Sequence, residues 1–359
     1  MSRFVIVTEL YWPSIGGQEV RYRELSRHLV AAGHTVEVLT IATEKDSPVS
    51  EVYEGVTIRR LTSSLSYRRP NRLFAREPLT IMWFSILVFL YFFRHTQDCV
   101  IFNQWPLLPQ LMCGHMCRGV TLVDWCEHRS GALYRIAFSL VSKSTNRHIA
   151  VSAALRALLI AKYGIRSILT VPSGIECSLY KSHAVKEGML FLGRLAAHKH
   201  PELVLAAVKL VQQSGLRMSL TIAGDGPLRA LVDSQAHGLP YVHVVGAISE
   251  EEKRRLFGSA WLHLLPSERE GFPRTVAEAM ACGTPTLTVS SPDNGGKDVV
   301  VAFNSGIVSE PNPQSLAEAI IALARDTATW QELSNCGLRA SRNLDWGQVS
   351  QELIAFVEA

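Results

Sequence analysis

Residues 261 to 290 read WLHLLPSEREGFPRTVAEAMACGTPTLTVS, and this stretch decides the fold class. It opens with WLHLLPS, an apolar run short enough for a buried strand, and it closes with a second such run, GTPTLTVS. Between the runs, Pro273 suits a first helical turn, and the good helix formers of 274–282 are followed by Gly283. The order strand, loop, helix, strand predicts a parallel-sheet α/β protein.

Two glutamates stand in this stretch eight residues apart. In one continuous helix Glu270 and Glu278 would be roughly 12 Å apart along the axis, which is too far to serve one small ligand closely. We expect Glu270 in the loop at the carboxyl end of the strand and Glu278 on the helix that follows, so that the loop can turn both carboxylates toward one crevice. Ligands of open parallel sheets bind in that crevice, with anions favoured at exposed helix amides.

Strand-like apolar runs alternate with amphipathic helical stretches along the whole chain, which predicts parallel sheets covered by helices. Regularity lapses near 174–188, where a linker is plausible. We therefore predict two doubly wound, Rossmann-like domains at 1–174 and 175–342 that face a central cleft, with a C-terminal helix at 343–359 packing back toward the first domain. The predicted strands are RFVIVTEL, TVEVLTIA, VTIRRLT, CVIFN, VTLVDW, RHIAVS, ILTVPS, MLFLGRL, MSLTIAG, YVHVVG, WLHLLPS, TPTLTVS and GIVS.

The composition fits two globular domains and argues against a nucleic-acid-binding protein. A chain of 359 residues with 47% hydrophobic residues can fill two cores. The formal net charge of +4 is modest, and the clustered arginines and aromatics of single-strand binders are missing from the sequence. Seven scattered cysteines predict a reduced, cytosolic chain, and the amino terminus passes straight into RFVIVTEL, which argues against a signal peptide.

One apolar segment, PLTIMWFSILVFLYFF at 78–93, has two possible interpretations. Its sixteen residues fall just short of the roughly 17 to 25 that a spanning helix needs, so we do not expect a transmembrane span. The segment is either a long core helix or a helix that lies partly in a membrane surface, held by arginines and a tryptophan at the headgroups. The arginines within 67–94 are Arg68, Arg69, Arg72, Arg76 and Arg94.

The motif GRLAAHKHPE, residues 193 to 202, places two cations at the end of a predicted strand. Arg194 and Lys199 can both point at a diphosphate there and neutralise its charge without a metal. The alternative is that they are two solvated surface cations.

Two motifs of the first half also follow predicted strands. In PSIGGQEV, Gly16 and Gly17 would let the backbone approach a phosphate or a sugar at the start of the first helix, or they form a plain tight turn. In DWCEHRSG, His128 is either a hydrogen-bonded structural residue or an active one.

The sequence CGHMC has a cysteine spacing that suggests zinc. We expect it within a helix, where Cys113 and Cys117 share a face but His115 points away, and a second ligand pair does not follow in the sequence. We therefore predict no metal and no cofactor.

Taken together, these motifs resemble those of the retaining glycosyltransferases of family four, which have the GT-B fold. The resemblance runs through nearly the whole chain, and its order and spacing are specific. It implies an N-terminal acceptor-binding domain and a C-terminal domain that binds a nucleotide sugar. Its motifs are the early glycine pair, IAVSAALRALLIAKYG, VPSGIE, GRLAAHKHPELVLAAVKLV, IAGDGP, VVGAISEEEKRRLFGSA with the opening stretch, and NGG.

The resemblance implies a role for each motif. Glu270 would hold hydroxyls of the donor sugar near the reacting carbon, and Glu278 would hold the ribose hydroxyls. Arg194 and Lys199 would stabilise the departing nucleoside diphosphate, and His128 would contact the donor sugar from the first domain. The implied catalytic residues are Glu270, His128, Arg194 and Lys199, and the implied donor-binding residues are Gly16, Gly17, Arg194, Lys199, Glu270, Gly271, Phe272, Pro273, Thr275, Val276 and Glu278.

The sequence departs from the family's pattern at several positions. The family's histidine usually sits closer behind its strand, so Cys126 or Glu127 is the alternative to His128. The other departures are Ser173, Pro273 with Arg274, and Lys297 with Asp298. They concern sugar specificity more than activity.

The implied function is a retaining, metal-independent transfer of a hexose from a nucleotide diphosphate sugar to a glycan or lipid-linked acceptor. The expected setting is cell-surface polysaccharide or glycolipid assembly, at the cytoplasmic face of the membrane. A front-side transfer fits better than a covalent double displacement, because Glu278 is assigned to the ribose. The alternatives are a sugar-nucleotide epimerase of similar fold and a non-catalytic partner subunit that binds nucleotide sugar.

Overall fold

The computed structural model describes residues 1–14, 16–65, 77–129 and 131–359. The chain divides into two compact units, one formed by Met1–Pro172 with Trp346–Ala359 and the other by Ser173–Asp345. Each unit has its own parallel sheet and its own apolar core. Four of the arginines predicted at headgroups, Arg68, Arg69, Arg72 and Arg76, lie outside the described residues.

The first unit alternates strands and helices in the way that the apolar runs predict. Its elements are β1 (Arg3–Val7), α1 (Gly17–Ala31), β2 (Thr35–Ala42), β3 (Ser50–Tyr53), β4 (Val56–Ser63), α2 (Pro78–Arg94), β5 (Cys99–Asn103), α3 (Leu107–Cys113), β6 (Val120–Trp125), α4 (Ala132–Val141), β7 (Arg147–Ala150), α5 (Ala153–Tyr163) and β8 (Ile168–Thr170).

The second unit continues the alternation. Its elements are β9 (Glu187–Leu192), α6 (Pro201–Gln213), β10 (Leu220–Ala223), α7 (Arg229–Ala236), β11 (Val242–Gly246), α8 (Glu250–Ser259), β12 (Ala260–Leu265), β13 (Arg269–Glu270), α9 (Arg274–Ala281), β14 (Thr286–Val289), β15 (Asp293–Asn294), α10 (Gly295–Phe303), β16 (Gly306–Ser309), α11 (Pro313–Arg325) and α12 (Thr327–Ser341). The chain then returns to the first unit as α13 (Trp346–Glu358).

The sheet of the first unit is covered on both faces. Its strand order is β3-β4-β2-β1-β5-β6-β7-β8, with all neighbours parallel except β3 and β4. Phe4 and Ile6 of the central strand pack with α1 and with Trp346 of α13, whereas Val5 and Val7 pack with α2. This burial on both faces explains why β1 reads as a continuous apolar run and does not alternate.

The sheet of the second unit has the strand order β11-β10-β9-β12-β14-β16, and its neighbouring strands are parallel. Chain order runs outward from β9 in one direction and from β12 in the other. The boundary between β9 and β12 is therefore the topological switch point, where open parallel sheets bind their ligands beyond the strand carboxyl ends.

The ends of α8, α9 and α3 can be compared with the sequence, and the predictions for α9 and α3 need correction. Ser249 caps α8 by accepting a hydrogen bond from the Glu252 amide at 3.1 Å, while the Glu252 carboxylate pairs with Arg255. Pro273 lies at the N-cap of α9, one residue before the first turn. The expected helix through CGHMC is wrong, because α3 ends at Cys113 and a tighter turn follows, in which the Met116 amide donates to the Cys113 carbonyl at 2.9 Å. A Cβ on Gly114 would clash with the Ser144 carbonyl oxygen, so this position requires glycine.

Candidate functional site

The switch point of the second unit carries the two predicted cations and the first glutamate. Arg194 and Lys199 follow β9, and Glu270 follows β12 on the short strand β13. Lys199 donates a hydrogen bond to the Glu270 carboxylate, and both side chains are largely buried, with 19% and 12% of their surface exposed. The Arg194 guanidinium is exposed, and within the described residues it has no hydrogen-bonding partner. The site thus combines a largely buried ion pair with an exposed cation.

Backbone contacts hold these loops together. The Glu268 amide donates to the His198 carbonyl at 2.9 Å, which ties the loop after β12 to the loop after β9. Gly224 packs so closely on Gly193 that an added Cβ would lie 1.9 Å from its carbonyl oxygen. Gly224 also has φ +134°, a backbone conformation that favours glycine. The AGDGP motif, which says little by itself in sequence, therefore supports the loop that carries Arg194.

The NGG motif positions the glutamate loop from the other side. β13 pairs with β15 so that Glu270 lies opposite Asn294. Asn294 accepts a hydrogen bond from the Gly296 amide at 3.0 Å and donates to the Val289 carbonyl at 2.8 Å. A Cβ on Gly295 would lie 2.0 Å from the Gly271 carbonyl oxygen, so this position requires glycine. Asn294 and Gly295 are thus supporting residues of the Glu270 loop.

The remaining residues predicted to line a donor lie at the start of α9. Phe272 packs partly into the core, and Pro273 is buried at the N-cap. Thr275 and Val276 are in the first turn, where the Val276 amide donates to the Pro273 carbonyl at 3.0 Å and its side chain is buried. The first turn of a helix presents amides without intrahelical partners, which suits an anion.

Glu278 is buried and surrounded by cations. Only 1% of the residue is exposed. Lys253 of α8 donates to its carboxylate at 2.8 Å, Arg274 lies 3.6 Å away, and the Tyr180 hydroxyl is a further hydrogen-bonding partner. Burial alone would raise the pKa of Glu278, but the charges of Lys253 and Arg274 outweigh it and hold the pKa below its usual value. The carboxylate is therefore ionised although it is out of water.

Lys253 and Tyr180 are site residues that the sequence reasoning missed. Lys253 looks like one more solvated charge in SEEEKRRLF, and its only signal is a position three to four residues before the apolar pair Leu256 and Phe257. Tyr180 lies in the predicted linker, and burial raises its pKa.

His263 of β12 is fully buried. Its Nδ1 lies 3.2 Å from the Thr286 hydroxyl, and burial lowers its pKa to about 3. The charge of Glu278 raises the pKa of His263 and that of Lys199 lowers it, and burial outweighs both. That Glu270 and Glu278 turn toward one crevice stays a prediction.

Three predicted residues belong to the first unit. Gly16 is the N-cap of α1 in an extended conformation, with the Glu19 carboxylate packed against its Cα, whereas a Cβ on Gly17 would meet nothing within 4 Å. His128 follows β6, and its Nε2 lies 3.2 Å from the Tyr163 hydroxyl and 3.4 Å from the Lys162 ammonium.

The two neighbours of His128 are engaged differently. Glu127 accepts hydrogen bonds from the Trp105 indole at 3.2 Å and from Arg129 at 2.7 Å. Burial raises the pKa of the Cys126 thiol, and the Cys126 amide donates to Gln104 at 3.0 Å. Glu127 is thus engaged in an ion pair and Cys126 is a neutral thiol, and the choice of His128 for a sugar contact stays a prediction.

Comparisons with known proteins cover both units. The family model "Glycosyltransferase Family 4" matches residues 15–179, and "Glycosyl transferases group 1" matches residues 182–340. The GDP-mannose-dependent alpha-(1-6)-phosphatidylinositol dimannoside mannosyltransferase of Mycobacterium tuberculosis (strain ATCC 25177 / H37Ra) is 27% identical over 55% of this chain. That match covers 54% of the relative, so this chain spans about half of its length.

One further relative and one solved structure match over a greater length. The D-inositol 3-phosphate glycosyltransferase of Nocardiopsis dassonvillei is 25% identical, over 94% of this chain and 88% of its own. The solved structure of Anabaena HepE in complex with UDP and glucose superposes with a TM-score of 0.74 at 16% identity. The alignment covers 100% of both chains. The last similarity concerns the fold.

Proposed function

Because this chain belongs to glycosyltransferase family 4 and has the GT-B fold, we propose that it transfers a hexose from a nucleotide diphosphate sugar, with retention and without a metal. The proposed acceptor is a glycan or a lipid-linked sugar. The observation that carries the proposal is the buried Lys199–Glu270 pair beside the exposed Arg194 at the topological switch point.

The two cations supply what this reaction needs most. As the glycosidic bond breaks, negative charge builds on the departing diphosphate, and fixed cations stabilise that charge in the transition state. Each charge-assisted hydrogen bond to phosphate contributes ~1.5 to 3 kcal/mol. A diphosphate would compete with Glu270 for the Lys199 ammonium, and a released Glu270 carboxylate would then be available to the sugar hydroxyls. Two protein cations do the work that a divalent metal does elsewhere.

Glu278 suits a role in nucleoside binding. An ionised carboxylate accepts hydrogen bonds from ribose hydroxyls, and these bonds are stronger in a buried site than in water. Lys253 and Tyr180 hold the carboxylate in one orientation, so little ordering remains to be done when a ribose binds. The carboxylate is then committed to the nucleoside, which favours front-side transfer over a covalent intermediate.

The acceptor and the location extend the proposal further. The Mycobacterium relative is named for phosphatidylinositol dimannoside and the Nocardiopsis relative for inositol 3-phosphate, and we propose an acceptor of related chemistry, a polyol or sugar carried on a lipid. Among the described residues, no helix is long and apolar enough to cross a membrane. We propose peripheral contact through α2 at the cytoplasmic face of the membrane. The helix is apolar along nearly its whole length, and its side chains Leu79, Trp83 and Phe93 are exposed.

The test is a thermal-shift screen of the full chain against UDP, GDP, ADP and their common sugar conjugates, with and without EDTA. Glu270→Gln and Glu278→Ala are the site variants. Glu268→Gln is the matched control, because Glu268 lies two residues from Glu270 with 68% of its side chain exposed. We expect one nucleotide series to stabilise the wild type and the control in EDTA and the Glu278→Ala variant to lose the shift.

Product analysis then separates the possible activities. Transfer of the sugar to an added lipid-linked acceptor, with the anomeric configuration kept, supports the proposal. Conversion of the sugar nucleotide to its epimer without acceptor would point to an epimerase, and nucleotide binding without any conversion would point to a partner subunit. Loss of the shift in EDTA would contradict metal independence.

A further inference from the structure

The helices α2, α3 and α4 form one layer on the first unit's sheet. They connect β4, β5, β6 and β7 in succession, and right-handed crossovers place such helices on the same face. The side chains agree, since Asp124 of β6 bonds to Arg21 of α1 while the next residue, Trp125, packs edge-on against Phe138 of α4. The α4 side of the sheet is therefore opposite to the α1 side.

The helix α4 is apolar on two sides. Phe138 and Val141 are buried against the sheet. Leu133, Ile136 and Leu140 are 79%, 60% and 54% exposed, and their spacing of three and four residues puts them on one outward stripe. Single exposed apolar residues are common on protein surfaces, but three large aliphatic side chains on one helix of ten residues form a contiguous patch. Such patches mark interaction sites.

The same layer lacks negative charge. The sequences of α2, α3 and α4 contain no aspartate or glutamate. Exposed cations occur on the helices or in the loops that follow them, at Arg94, Arg118, Arg135 and Lys143. The Asp98 carboxylate after α2 accepts a hydrogen bond from the Arg3 amide at 2.7 Å, and its single negative charge leaves the four cations in excess.

We propose that α4 and α2 together form a lipid-binding face that rests on a bilayer containing anionic lipid. Leu133, Ile136 and Leu140 would enter the boundary between headgroups and acyl chains, while Arg135 and Lys143 would contact lipid phosphates. The positive charge with the apolar stripe selects a membrane as the occupant, because a soluble glycan would require polar partners in place of the leucines. This face extends the α2 contact proposed above and does not depend on the donor chemistry.

The test is co-sedimentation of the full chain with vesicles of phosphatidylcholine, alone or with phosphatidylglycerol. The apolar variant combines Leu133→Ser, Ile136→Ser and Leu140→Ser, and its matched control combines Leu231→Ser and Val301→Ser, which are exposed apolar positions of the second unit. We expect the apolar variant to bind anionic vesicles at least about tenfold more weakly, given the loss of buried apolar side chains, and the control to bind like the wild type.

Charge is tested separately. Arg135→Glu with Lys143→Glu should weaken binding to anionic vesicles by roughly thirtyfold or more, since each surface cation near anionic lipid contributes about a factor of five. Binding to phosphatidylcholine alone should not change. Equal vesicle binding by the wild type and the apolar variant would overturn the role of α4, and so would a wild type that binds no vesicles.

Two controls separate this inference from other outcomes. A nucleotide-induced thermal shift in each variant shows that the chain is folded, and failure of the proposed transferase function would appear there and not in vesicle binding. Sedimentation velocity reports self-association. A dimer that the apolar variant dissociates, without vesicle binding by the wild type, would assign the face to a second copy of this chain and overturn the proposal.

Discussion

Replacing Lys253 by methionine should destabilise the second unit in a manner that depends on pH. Methionine keeps the length of the side chain but removes the cation 2.8 Å from the buried Glu278 carboxylate. Breaking a buried ion pair in this way costs ~3 to 5 kcal/mol when the remaining charge stays ionised. Arg274 at 3.6 Å offsets only part of this loss, because it is farther away.

Glu278 can avoid the loss by taking up a proton, and this sets the pH dependence. Protonating a carboxyl group of ordinary pKa costs about 4 kcal/mol at pH 7.5 and about 1.5 kcal/mol at pH 5.5. The variant should therefore lose about 3 to 4 kcal/mol of unfolding free energy at pH 7.5 and only about 1 to 2 kcal/mol at pH 5.5.

The pH dependence of the Glu278 contribution to stability has opposite signs in the wild type and in the Lys253→Met variant. In the wild type the pKa of Glu278 is lowered, so its contribution is present above the ordinary pKa and is lost as the pH falls below it. In the variant we expect a raised pKa, and stability is then lost as the pH rises. Urea unfolding at the two pH values measures the difference, with Lys181→Met as a control at an exposed lysine.

A double variant tests whether the uncompensated Glu278 charge causes the loss of stability. Glu278→Gln added to Lys253→Met removes the uncompensated charge and should recover most of the loss at pH 7.5. An equal loss at both pH values, or a double variant no more stable than the single one, would show that Lys253 contributes by packing and not by pairing with Glu278.

Three further predictions concern the site and the cores. Arg194→Met and Lys199→Met should each lower kcat by ~10² to 10³, because each removes a charge that stabilises the leaving diphosphate, whereas Arg254→Met should leave kcat unchanged. Arg194→Met should change the unfolding free energy little, whereas Lys199→Met should also destabilise the second unit, because it leaves the largely buried Glu270 carboxylate without its cation. Gly295→Ala should destabilise the second unit and abolish the nucleotide-induced thermal shift, since its Cβ would lie 2.0 Å from the Gly271 carbonyl oxygen; a stable Gly295→Ala variant that binds nucleotide would contradict this. Gly17→Ala, whose Cβ meets nothing within 4 Å, is the control for stability. Burial lowers the pKa of His148 to about 4, so the unfolding free energy should fall as the pH drops from 6.5 to 4, by ~1.4 kcal/mol per pH unit for this histidine, and His148→Gln should flatten that slope.

The sequence is informative wherever the periodicity and the neighbouring turns agree. The stretch around Glu270 predicts its strands and its helix α9 correctly, because two short apolar runs enclose a helix former that ends at Gly283, whose φ is +65°. Family motifs then identify the GT-B fold over both units. The CGHMC helix is predicted wrongly, because the chain tightens after Cys113, where the Met116 amide donates to the Cys113 carbonyl at 2.9 Å and the α-helical hydrogen bonds do not continue.

Long-range pairings are beyond such reasoning. Lys199 and Glu270 stand 71 positions apart, and Lys253 and Glu278 stand 25 apart, so local spacing does not indicate that they pair. Lys253 resembles its exposed neighbours in the sequence, and only the packing of α8 shows that it is buried. The supporting role of Asn294 likewise depends on the pairing of β13 with β15.

The return of α13 to the first unit sets an order of events during synthesis. Tyr22 and Leu25 of α1 share a core with Trp346 and Leu353, yet the whole of Ser173–Asp345 is translated between them. At ~5 to 20 residues per second, this interval lasts roughly 10 to 35 s. The second unit is contiguous and has time to fold first. The first unit meanwhile waits with part of its apolar face uncovered, and its native state is completed only when the C-terminal helix leaves the ribosome.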